Sequence, residues 1–170
     1  MKNKKPFVSV LMGSDSDMPV VQAALDILDR FGIRREVRIV SAHRTPEITH
    51  EYVRDADSRG CSVFIAAAGL AAHLAGTVAG LTTKPVIGVP IDSGALSGMD
   101  ALLSTVQMPG GIPVACMAIG KAGARNAGYL AAQIIALGQS DLAVRLQDER
   151  AENAKAVVEK DKALQRKLKK

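Results

Sequence analysis

In the stretch VSAHRTP, residues 40–46, a histidine stands between a small serine-alanine pair and an arginine. An imidazole ionises near neutral pH, so His43 suits a role that both gives and takes a proton. Arg44 beside it offers a planar, permanently charged fork that matches a phosphate. A second stretch, GSDSD at 13–17, brings the hydroxyls of Ser14 and Ser16 and the carboxylate of Asp17. Backbone N–H groups in such a turn suit a phosphate, and a free carboxylate suits ribose hydroxyls. Each feature has a plainer reading beside this one. Asp17 can be only a helix cap in an ordinary polar turn, and His43 can be a satisfied structural histidine.

Both stretches fall where a strand hands over to a helix. Phe7–Met12 is a short apolar run ending at Gly13, and a helix from about Met18 to Phe31 follows, its stripe set by Val20, Val21, Ala24, Leu25, Ile27, Leu28 and Phe31. Gly32 stops it. Val37, Ile39 and Val40 close a second apolar run, which places Ser41, His43 and Arg44 at the carboxyl end of a strand. Thr45 reads as an N-cap, Pro46 as the first helical residue and Glu47 as an acid in the first turn of a helix running to about Arg59. SVFIAAAG, after Gly60, reads as a fully buried strand. Then come a turn with His73 opening a third helix, the strand PVIGV, a short helix near 98–106, the strand-like VACMAI and a long helix over 122–137.

Alternating strands and helices with near-continuous apolar strands predict a parallel sheet covered on both faces. We expect an α/β fold: a three-layer, doubly wound, flavodoxin-like sheet of five strands with an extended C-terminal helix. No repeat or linker divides residues 1–170, so one unit is expected. Its ends are a flexible N-terminus over 1–6 and a charged helix over 147–170. In open α/β sheets ligands bind at the carboxyl ends of the strands. If the first two strands are neighbours, GSDSD and SAHR line one crevice there.

A third loop, AAAGLAAHLAG at 66–76, would join that crevice. Gly69, Leu70 and Ala71 follow a buried strand, leave room for a flat ligand and present backbone donors and acceptors. His73 can point inward, acting through another residue at most, or simply cap the helix. No His, Cys, Asp and Glu set has metal-ligand spacing, and no GxxxxGKS loop is present to hold ATP. No cofactor is expected.

The composition narrows the partners. Aromatics amount to three Phe and two Tyr with no Trp, which argues against base-stacking platforms for single-stranded nucleic acid. The net charge of +5 sits at the ends: Lys2, Lys4 and Lys5 carry +3 and residues 147–170 another +3, leaving −1 for the body. That pattern reads as solvated basic ends, not a polyanion site. No apolar run reaches the ~20 residues of a membrane span. The start lacks a signal peptide's long apolar core, so a cytoplasmic protein is expected. Cys61 and Cys116 are expected as buried, reduced thiols. The helix KAGARNAGYLAAQIIAL has small residues nearly all round and invites close approach on more than one side. The tail has a thin stripe at Ala154, Val157, Leu164 and Leu168; alone it is a marginal helix, and docked on a neighbouring subunit it gains order.

Taken together and in order, GSDSD, SAHRTP, AAHL, PVIGVP, SGMDALLSTVQMPGGIPV and GKAGARNAGYLAAQI resemble the PurE family across roughly residues 7–146. SAHRTP and AAHL are similar to its class I members, the N5-carboxyaminoimidazole ribonucleotide mutases of bacterial purine biosynthesis. The resemblance implies a cofactor-free rearrangement, in which a carboxylate leaves exocyclic N5 as CO2 and is recaptured at ring carbon C4. It assigns Ser14 and Arg44, helped by Ser16 and Ser41, to the phosphate, Asp17 to the ribose and His43 to acid and base duty. Gly69, Leu70, Ala71 and His73 would close over the reacting carboxylate and exclude water. A homo-octamer, with the tail helix reaching across subunits, is implied as well. So is transient contact with the ATP-dependent synthetase that makes the substrate.

The sequence departs from the family in that third loop. Where the family usually reads AGGAAHLPG, Leu70 and Ala75 stand in place of a glycine and the proline. Leu70 adds bulk and Ala75 removes a restraint on φ, which touches loop rigidity and CO2 retention. This leaves a second enzyme reading open, direct carboxylation of aminoimidazole ribonucleotide by free CO2. A third reading is a flavodoxin-like module that binds a nucleotide without catalysis.

Overall fold

The computed structural model describes residues 6–169. All but one residue of the N-terminal segment expected to be flexible lie outside them. Five parallel strands form one sheet in the order β2-β1-β3-β4-β5, with β1 at Phe7–Met12, β2 at Arg35–Ile39, β3 at Cys61–Ala68, β4 at Val86–Pro90 and β5 at Ala115–Cys116. The chain winds outward from β1 to β2, then reverses to β3 on the other side. That reversal opens a crevice above the carboxyl ends of β1 and β3.

The apolar runs are explained by burial on both faces. Val8, Val10 and Met12 pack with Val21, Leu25 and Leu28 of α1 (Met18–Arg30) and Ala124, Ala127 and Ala131 of α5 (Gly120–Ala136). Phe7 and Leu11 point the other way, toward Tyr52, Val53 and Ala56 of α2 (Pro46–Ser58) and Leu74, Ala75 and Val78 of α3 (Leu74–Ala79). The buried Ser9 hydroxyl meets the Tyr52 hydroxyl at 2.9 Å, so neither lacks a partner. Helix α4 (Met99–Val106) lies against Gly88 through Thr105.

Two strands differ from expectation. β2 is the sheet's edge, and its residues are half-buried or exposed, with Ile39 at 55%. Only Val40, just beyond the strand, is buried. An edge strand covered poorly on one side needs no continuous apolar run. β5 is only two residues long because VACMAI leaves the sheet after Cys116. Its Cys116 is half-buried, not buried as expected, whereas Cys61 is fully buried and its thiol is pushed up to about 11 by that burial.

Helix α5 meets α1 closely. A Cβ on Gly128 would lie 2.9 Å from the Ala24 carbonyl oxygen and 2.9 Å from Ile27 Cβ, so the small residues on this side serve the chain's own packing. The opposite side faces α6 (Ser140–Leu168) across a groove of about 670 Å³ lined by Met117, Tyr129, Leu130, Leu137 and Leu146 among others. α6 begins earlier than the expected boundary at 147, and Leu142 anchors its first turns in the core. From Ala151 to Lys169 every residue is exposed. Among the described residues, no helix is long and apolar enough to cross a membrane.

Candidate functional site

The loop after β1 is shaped by its own polar side chains. Ser14 Oγ accepts from the Ser16 N–H at 3.3 Å while the Asp17 carboxylate accepts from the Ser14 N–H at 3.1 Å, a reciprocal capping box around a single 3₁₀ turn. Asp17 therefore precedes α1 without capping it by its side chain. The turn consumes the carboxylate first. Burial pushes the Asp17 carboxyl above its usual range; the Ser14 and Gly13 N–H groups pull it back, and nearby Asp15 adds to the rise. The Ser16 hydroxyl donates to Ser14 Oγ at 2.9 Å, and Ser14 donates to Asp15 at 3.0 Å, so both serines stand together at the crevice edge.

The loop after β2 is tied at its base. Thr45 holds the N-cap position of α2, as expected, but its hydroxyl makes no cap bond; it accepts from the Ser41 N–H at 2.9 Å and donates to the Ser41 carbonyl at 3.2 Å. Thr49 adds a hydroxyl bond to the same carbonyl. The Ser41 hydroxyl accepts from the Arg44 N–H at 3.1 Å. These bonds close the loop on itself and leave His43 and Arg44 projecting, both exposed. Arg44 Nη2 then donates to the Gly13 carbonyl at 3.1 Å. That contact sets the guanidinium beside GSDSD, bringing Arg44, Ser14 and Ser16 to one place as expected.

The loop after β3 supplies the second histidine. Its ring reaches His43 across β1: His43 Nε2 and His73 Nδ1 are 2.8 Å apart, with the rings at 82°. One of these two nitrogens donates and the other accepts, so the contact requires a single proton between them. His73 makes no side-chain cap to α3; it is exposed and turned toward His43. Gly69 is half-buried, and Leu70 and Ala71 are exposed at the rim. Leu70 takes a left-handed conformation, φ 55°. Ala75 is buried in the first turn of α3, apart from the exposed rim at Leu70 and Ala71.

The loop after β4 also stands at a carboxyl end, although no residue in it was expected at the site. Ser93 comes from there and lies against Gly69, where a Cβ would meet its Oγ at 2.0 Å. The signal was available in IDSG directly after PVIGVP. The arrangement sets a cationic fork and hydroxyls beside an exposed, proton-sharing imidazole pair at the carboxyl ends of β1, β2 and β3. It suits binding a phosphorylated ligand and moving a proton on it. Among the described residues no group of His, Cys, Asp and Glu is placed to hold a metal.

Comparison with known proteins agrees over nearly the whole chain. It is 56% identical over 154 residues to the N5-carboxyaminoimidazole ribonucleotide mutase of Bacillus subtilis (strain 168), covering 91% of this chain and 94% of that one. It is 50% identical over 165 residues to the mutase of the same name from Pyrococcus horikoshii, covering 97% and 92%. Its fold superposes on the crystal structure of Treponema denticola PurE with a TM-score of 0.85 at 32% identity, covering 94% and 98%. The AIR carboxylase family profile matches residues 7–156, from the first strand into the last helix. With the five-stranded sheet and the three convergent loops described above, the chain belongs to the AIR carboxylase family.

Proposed function

We propose that this protein is an N5-carboxyaminoimidazole ribonucleotide mutase. The observation that carries the reading is the His43–His73 contact at 2.8 Å, set in the same crevice as Arg44, Ser14 and Asp17. Arg44 and the serines hold the substrate phosphate, with Ser41 shaping the Arg44 loop, and Asp17 meets the ribose. The N5–carboxylate bond breaks, its electron pair passes to N5, and His43 as imidazolium supplies the proton there. C4 then forms a bond to the released CO2, and the C4 proton returns to His43 as imidazole. The protons balance and no redox step or cofactor enters. His73 orients the His43 ring and shares its proton, while Gly69, Leu70 and Ala71 cover the CO2.

The assembly belongs to the same reading. The crevice is open, and the end of α6 carries exposed Val157, Val158, Leu164 and Leu168. We place α6 on a neighbouring subunit of a homo-octamer in the cytoplasm, receiving substrate by transient contact with the synthetase. The test is an assay without ATP or bicarbonate on freshly generated N5-carboxyaminoimidazole ribonucleotide. Conversion to the C4-carboxylated isomer is the expected result. Product only from aminoimidazole ribonucleotide and high CO2 overturns the mutase in favour of the carboxylase, and no product under either condition leaves a binding module.

A further inference from the structure

Leu70 is the chain's departure at the rim, and its surroundings give it a use. Its backbone sits at φ 55°, a region that side-chain-bearing residues rarely adopt without something to hold them there. What holds it is the loop after β4. Gly94, itself at φ 75°, lies directly under the leucine: a Cβ at that position would stand 2.5 Å from Leu70 Cδ2. One residue back the relation is reversed, because Gly69 leaves the space that the Ser93 side chain fills. A glycine on each loop thus receives a side chain from the other. At the base, the Ile91 N–H donates to the Ala68 carbonyl at 2.9 Å and fixes the register of the two loops. Ahead of Leu70, the Ala71 carbonyl accepts from the His73 N–H at 2.8 Å, so the leucine's backbone leads by one short turn into the histidine that touches His43.

We infer that Leu70 is a positioning residue: seated over Gly94, it interlocks the loop after β4 with the loop carrying His73 and thereby fixes the histidine pair. With Leu70 in this orientation, 55% exposed, position 94 has no room for a Cβ, and a side chain there would have to displace the leucine from its seat. The consequence for catalysis rests on the reaction proposed above; the interlock does not. A rim fixed in this way keeps the imidazoles aligned and CO2 covered, and a loosened one lets aminoimidazole ribonucleotide and CO2 escape.

The test is a cycle of Leu70→Gly, Gly94→Ala and the double variant, read by thermal unfolding, by the imidazole NMR signals and by product partition. With three histidines in the chain, His50 on α2 serves as the internal control. Gly94→Ala in the parent is expected to lower Tm by roughly 4 °C and to move the His43 and His73 signals but not those of His50. In the Leu70→Gly background the Tm penalty at least halves, the remainder being the cost of alanine at positive φ, and Gly94→Ala no longer moves the histidine signals. Leakage to aminoimidazole ribonucleotide is expected to rise at least threefold in Leu70→Gly and in Gly94→Ala alike, with the double variant leaking no more than either single one. An equal Tm penalty in both backgrounds overturns the interlock. Histidine signals unmoved in every variant overturn the positioning role, whatever the activity. A parent that converts no substrate defeats the functional reading alone, since Tm and the histidine signals still decide this one.

Discussion

At the level of single residues, His43 is the group placed to move a proton in the mechanism proposed above. Its ring is exposed and meets His73 at 2.8 Å, while Arg44 is turned to the Gly13 carbonyl beside the serines. In the mechanism proposed above, binding and proton transfer fall on different side chains. His43→Asn is expected to lower turnover by about 10²–10⁴-fold while phosphate-dependent binding survives within a few-fold, measured by calorimetry with the ribonucleotide product. Turnover close to the parent's would remove His43 from the mechanism. The types and places of His43, Arg44, Ser14 and Asp17 were legible in the sequence because each lies within a few residues of a strand end. The partnership with His73 was not, since thirty positions separate the two rings and only the order β2-β1-β3 brings their loops together over β1. Thr45 stands at the N-cap of α2 as its local pattern indicates, but what its hydroxyl bonds to was not legible, because the Ser41 backbone competes for it and wins.

Among the elements, β2 departs most from its sequence signal and owes its place to charge as well as to packing. Glu36 receives Arg59 at both oxygens, 2.6 and 2.8 Å, with Arg34 at 3.1 Å and the Tyr52 hydroxyl at 3.3 Å. The Arg59 guanidinium above all holds the Glu36 carboxyl down to about 2, from an ordinary 4.5. A carboxyl held below its unfolded value contributes stability that is full above about pH 4.5 and is lost as the pH falls toward 2. The network is partly solvated, so Glu36→Gln should cost about 1 kcal/mol at pH 7. Denaturant titrations across pH should show that difference shrinking below 4.5 and vanishing near 2. A difference that stays constant with pH would assign the loss to packing. β1, β3 and β4 were legible as unbroken apolar runs buried on both faces, and the helices by their apolar stripes. β2 was legible as a strand but its exposure was not, because an edge position is a fact of sheet order, which no single strand's pattern carries.

For the whole molecule, the open crevice and the bare end of α6 pose the same question. A 29-residue helix is about 43 Å long, and its part beyond Glu149 has exposed residues almost throughout, which a free helix of that composition does not stabilise well. We expect light scattering to return an octameric mass and removal of residues 151–170 to lower it. An unchanged mass after truncation would mean the tail does not dock. In the proposed mutase reaction the carboxylate moves within one substrate without mixing with solvent. The most direct test uses N5-carboxyaminoimidazole ribonucleotide labelled with ¹³C in the carboxylate, turned over in excess unlabelled bicarbonate. Product that retains most of the label at the C4 carboxylate is the predicted result. Product carrying only the unlabelled carbon of the medium would contradict it and make the protein a carboxylase of free CO2.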